Sequence, residues 1–234
     1  MKSANEKFIR DLLRVRAYGW YLASVSVLIL GFWLSARTYP GGFDWRYRVA
    51  SALASHLDNP AGSDWSAIGL GLAMLLMWPY VSAARKRMEA GATTWTRVAF
   101  RVLRFGLAFG MLVGLERLLI RDLSTDVPKG HEILALLAFF GLDIGVFMLL
   151  AQAIVRRRLY AVPALLILLP LIAVAFNQFW LYLAQRNIGW VHTDWKRLGI
   201  PLWFSFAFWQ WQAITFVMLG LGLLGFIAGE DREH

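Results

Sequence analysis

Six stretches of the chain stay apolar for about the 20 residues that a helix needs to cross a bilayer: 17–36, 66–84, 98–120, 133–155, 159–184 and 202–228. The pattern predicts six membrane-spanning helices, which put both termini on one side. Ahead of the first span, Phe8, Ile9, Leu12, Leu13 and Val15 fall on one helical face, with Lys7, Arg10 and Arg14 opposite. Residues 1–16 therefore read as a short interfacial helix, 17–228 as the transmembrane domain and 229–234 as a tail. The first span is too long for a signal-peptide core and lacks a small-x-small cleavage site before Arg37, so it reads as retained.

Polar residues punctuate the connections. Segment 37–65 opens on the turn Tyr39-Pro40-Gly41-Gly42. Trp45, Val49, Leu53 and Leu57 then recur every four residues, which predicts an amphipathic helix lying on the membrane surface and stopped by Asp58-Asn59-Pro60. Ser63 is placed to cap the second span. The other long connection on that side is 185–201, and those on the opposite side are short.

Composition then excludes whole classes. Of 234 residues, 59% are hydrophobic and 17% charged, with 12 Trp and 16 Phe. Mean hydropathy is +0.53, so a soluble monomer would expose far too much apolar surface, and a disordered chain is equally excluded. With no cysteine, disulfides, thiolate metal sites and thiol nucleophiles are ruled out. The net charge of +9 suggests nucleic acid only until the charges are placed. With the N-terminus inside, inner segments hold 15 basic against 6 acidic residues and outer segments 9 against 8. That asymmetry predicts cytoplasmic termini and removes any need for a nucleic-acid partner.

Glycine recurs at intervals of four in the third span, at Gly106, Gly110 and Gly114, and again at Gly141 and Gly145 in the fourth. Such stripes bring helices close together, within the chain or against a second copy or another membrane protein. Pro163 and Pro170 predict kinks in the fifth span. Tryptophans crowd the outer interface as an aromatic belt.

The candidate chemistry is sparse. His56, His131 and His192 all fall in outer segments, where three imidazoles from separate loops can converge on a metal or form an acid–base pair. No HxxxH or HxH spacing supports that, and no motif asks for a cofactor, so none is expected. Ser51 and Ser55 lie beside His56, without the GxSxG turn of a hydrolase. Within the spans, Asp143 sits near the midplane, where an ionised carboxylate is costly. Asn177, Gln178, Gln210 and Gln212 read as lining one polar cavity with it, nearer the outer leaflet. Glu116 and Arg117, with Arg121 and Asp122, read as an ion-paired rim. Arg97, Arg101 and Arg104 run down one helix face toward Arg85-Lys86-Arg87, where anionic headgroups would meet them. Walker, Rossmann and HExxH motifs are absent.

Tyr39-Pro40-Gly41-Gly42, Ser51-Ala52-Leu53, Asp58-Asn59-Pro60-Ala61-Gly62, and Pro128 with His131 together resemble the six-helix FRAG/DRAM/Sfk-type membrane proteins, and more closely their prokaryotic relatives. The resemblance covers roughly residues 17–155. It implies a six-helix bundle in a bacterial inner membrane, a functional outer face and a role in lipid handling or recruitment, and it carries over no catalytic residue.

The expectation is an all-α six-span protein that binds a membrane lipid or amphiphile at the outer leaflet. Tyr39, Ser51, Asn59, His131, Asp143, Asn177 and Gln178 stand near the site. A metal-assisted lipid hydrolase or transferase using His56, His131 and His192, with Ser51 as a further catalytic candidate, and a subunit that assembles through its glycine faces are the alternatives.

Overall fold

A computed structural model describes residues 2–89, 92–120, 130–156, 158–185 and 205–230, with side chains from residue 15 onward except at 132, 178–185, 206, 229 and 230. The described residues form helices and turns without strands. The helices are α1 (Lys2–Arg37), α2 (Ala50–Leu53), α3 (Ser63–Met88), α4 (Thr94–Leu119), α5 (Gly130–Arg156), α6 (Ala161–Gln185) and α7 (Phe206–Glu230). All but α2 are long and apolar enough to cross a membrane. This is an integral membrane protein.

The bundle is built from neighbours in sequence. α1 packs along α3, α3 along α4, α4 along α5 and α6 along α7, while α7 also touches α1, α3 and α5. One end carries Arg85, Lys86, Arg87, Arg97 and Arg101 and is called the basic end below. The other carries the 38–62 connection and is called the cap end.

Glycine sets the closest approaches. A methyl group at Gly31 would meet Trp65 O at 2.7 Å and Gly69 Cα at 2.8 Å, and one at Gly114 would meet Ala67 O at 2.8 Å. Gly106 faces Gly141, and Gly145 faces Leu103 Cα. The two glycine stripes read from sequence are therefore taken up between α4, α5 and α3, so those faces are not open to a second copy or another protein.

At the basic end, Thr93 caps α4: its Oγ1 accepts from Thr96 N, and Thr96 Oγ1 accepts from Thr93 N, each at 3.2 Å. Trp95 Nε1 donates to Met148 O at 3.1 Å, tying α4 to α5. Tyr21 and Tyr80 donate to Met218 O and Leu221 O at 2.9 and 2.6 Å, which fixes α7 against α1 and α3 through carbonyls beside Gly220 and Gly222.

Three expectations change. Residues 2–16 are not a separate interfacial helix but the first turns of α1, which runs unbroken for 36 residues. No Pro interrupts it, and at 1.5 Å per residue its roughly 54 Å exceeds the bilayer core, so its first turns extend past the basic end. The surface helix expected around Trp45–Leu57 shrinks to the four residues of α2, with Leu53 fully buried and Leu57 83% exposed. Ser63 begins α3 without capping it: the N-cap is Gly62. Pro170 lies inside α6 as expected, and Pro79 lies inside α3.

Candidate functional site

The cap explains why α2 is so short. A turn carried by Gly41 and Gly42, at φ 72° and 84°, sends the chain back over the bundle. From there its backbone is held by short local turns and, between them, by side chains from other parts of the bundle. Ser205 Oγ donates to Arg46 O at 2.9 Å, Trp211 Nε1 to Arg48 O at 3.1 Å, and Ala50 N donates to Gln210 Oε1 at 2.7 Å. Ser35 Oγ donates to Leu53 O at 2.8 Å. Asn59, with no exposed surface, donates from Nδ2 to Ser35 O and Ser35 Oγ at 3.0 and 2.8 Å and to Leu53 O at 3.3 Å. The bonds to Arg46 O, Arg48 O, Ala50 N and Leu53 O take up backbone groups of this segment from outside it, so a helical pattern ends as a tertiary cap.

Aromatic rings close the same region. Phe32, Phe43 and Trp45 surround Trp211 with ring centroids 5.5, 6.3 and 5.0 Å away. Tyr39 packs on Phe43 at 5.1 Å and accepts from Arg48 Nη1 at 2.6 Å. Outside the spans, Asp44 accepts from Arg46 Nε at 3.0 Å, and that contact holds its carboxyl below the ordinary carboxylate range.

Beneath the cap lies a cavity of about 130 Å³ whose walls come from α1, α2, α3, α4, α5 and α7. Its deep part is apolar: Leu28, Leu70, Met74, Leu142, Val217 and Met218. Ser51, Ser66, His131 and Gln210 bring polar groups to its cap end. From Gln210 to Met218 it spans eight residues of α7, or about 12 Å along the bundle.

Those polar groups differ in how they are engaged. Ser66 Oγ donates to Ser63 O at 3.1 Å. Ala50 N–H fixes the oxygen of the Gln210 amide toward the cap, which leaves the NH₂ without a hydrogen bond, and the Ser51 hydroxyl has none either among the described residues. His131 Nδ1 lies 3.0 Å from Glu116 Oε2, which is also 3.7 Å from Arg117 Nε. Side chains of the three are 15%, 9% and 11% exposed, so His131 lines the cavity with a nearly buried ion pair behind it.

Ser51 and His131 thus meet at one cavity, with Gln210 completing the polar end. Tyr39 and Asn59 belong to the cap above it. Asp143 does not line it, and its buried Oδ1 has no hydrogen-bond partner among the described residues. Asn177 bonds within its own helix, to Ala173 O at 2.8 Å. The side chain of Gln178, His192, Arg121 and Asp122 lie outside the described residues. His56 Nδ1 is 3.4 Å from Ser63 Oγ, while Ser55 Oγ accepts from Asp58 N at 3.2 Å. Among the described residues no three His, Asp or Glu side chains gather as a metal site.

Ser35 and Ser66 went unread in the sequence, since a single serine in an apolar span gives no signal of its own. Comparison with family models, curated proteins and solved structures returns no match.

Proposed function

We propose that the protein binds an amphiphile at its cap end, with the apolar end of one chain in the cavity and a hydrogen-bond-accepting head against Ser51, Gln210 and His131. The observation that carries this reading is a cavity apolar in its depth with a few polar groups at one end, where a hydroxyl and an amide NH₂ stand without partners among the described residues. Two donors side by side favour an ester, carboxylate or other acceptor oxygen. Glu116 orients the imidazole that stands with them.

Size narrows the ligand. A cavity of about 150 Å³ takes a molecule as small as benzene. The space here fits the end of a single chain and not a whole two-chain lipid. The basic residues at the opposite end support a topology with the termini in the cytoplasm and the cap facing outward, in keeping with a bacterial inner membrane.

Lipid mass spectrometry on the gently purified protein tests the binding. Ala135→Phe places a ring in the cavity and is expected to strip the retained amphiphile while leaving the unfolding midpoint near that of the wild type. Ser51→Ala is expected to weaken retention by roughly 3–10-fold, the loss of one hydrogen bond. Equal retention in all three proteins would overturn the proposal.

A further inference from the structure

A second site lies at the other end of the bundle. Arg104 projects from α4 beside α3, and its Nη2 donates to Ser82 Oγ at 3.0 Å. Ser82 in turn donates to Trp78 O at 2.8 Å, and the guanidinium stands 5.8 Å from the Trp78 ring. Arg104 Nε is buried with no acceptor among the described residues. Partial burial already disfavours this guanidinium, and among the described residues the charged side chain that bears on it is Arg85, of like sign.

Depth makes that arrangement costly. Arg104 follows Thr94 by ten residues, about 15 Å along α4, whereas Ser82 precedes Met88 by six, about 9 Å along α3. The side chain therefore reaches back toward the basic end, to the level where hydrocarbon gives way to headgroups. Two like charges there, one with a buried donor unmet, call for an anion between them. A hydroxyl and the half-buried indole of Trp78 already stand around the same point.

We propose that the α3–α4 groove at the basic end binds the phosphate of an anionic phospholipid, held by Arg104 and Arg85 beside Ser82 and Trp78. The phosphate gives Arg104 the acceptor its Nε lacks and neutralises the Arg85–Arg104 repulsion, while the acyl chains lie along the lipid-facing surface of the groove. The site is separate from the cavity under the cap and stands on different residues.

The test uses the full chain in nanodiscs of phosphatidylcholine, with or without phosphatidylglycerol, read by thermal midpoint and by native mass spectrometry of retained lipid. Phosphatidylglycerol is expected to raise the wild-type midpoint. Arg104→Gln is expected to lose that rise and to retain roughly fivefold less phosphatidylglycerol, while keeping its midpoint in phosphatidylcholine alone. Arg97→Gln removes an exposed charge and is expected to keep the bound lipid. Should Arg104→Gln fail to fold, Arg85→Gln at the helix end gives the same comparison. Retention by Arg104→Gln equal to wild type, or an equal loss in Arg97→Gln, would overturn a specific site. A rise of the same size from inorganic phosphate in phosphatidylcholine discs would assign the site to free phosphate and overturn the lipid assignment.

Discussion

Asn59 joins the end of α1, α2 and the start of α3 through three hydrogen bonds from one amide nitrogen. Asn59→Ala removes the amide donor that Ser35 and Leu53 share and leaves a hole between them, and a loss of about 1–3 kcal/mol is expected in denaturant unfolding; an unchanged midpoint would contradict the cap as described. Asp143 is the converse case, a carboxyl with a buried oxygen and no bond to lose. Asp143→Leu is expected to raise the unfolding midpoint, and a lowered one would show that the carboxyl has a stabilising partner. For Asp44, the contact with Arg46 exists while the carboxylate is ionised. Its pKa is depressed in the folded loop, so the contact is complete above the ordinary carboxylate range and is lost as pH falls through the lower folded value. A side-chain NMR titration reads this directly, and a midpoint at or above the ordinary range would refute it. The partnered places of Asn59 and His131 were legible because polar residues between apolar spans must find partners at a membrane boundary, whereas Ser51 lines the cavity without one among the described residues. Asp143 and Asn177 do not line the cavity under the cap, since a span apolar all round does not reveal which face turns inward.

Helices were legible where length alone decides, and illegible where tertiary bonds compete with helical ones. The six spans follow from bilayer thickness. The segment Trp45–Leu57 has a helical period, yet its carbonyls at Arg46, Arg48 and Leu53 are claimed by Ser205, Trp211 and Ser35. No local pattern shows such partners, two of which lie more than 150 residues away. Glycines give the sharpest test at this scale. Gly31→Ala pushes a methyl into the backbone of α3, and a loss of about 1–3 kcal/mol is expected from overpacking. Gly19→Ala, with nothing near the new methyl, is expected to be neutral or up to about 1 kcal/mol stabilising. Equal effects of the two substitutions would show that α1 and α3 do not meet at Gly31 and Gly69.

For the whole molecule, two ends of one bundle carry different chemistry: donors over an apolar cavity under the cap, and arginines beside a hydroxyl and an indole at the other. A cysteine-free chain makes their orientation easy to measure. A thiol at Leu57→Cys is expected to react with an impermeant reagent from outside intact cells, and one at exposed Glu89→Cys only after permeabilisation; the reverse pattern would invert the topology. The most direct measurement of the central claim is photolabelling in the membrane with a single-chain carboxylate amphiphile that carries a diazirine midway along its chain. The account predicts mass-mapped adducts on cavity residues such as Met74, Leu142 and Met218, lost in Ala135→Phe. Adducts confined to the lipid-facing Leu75, Leu112 and Phe147, unchanged by that substitution, would contradict it.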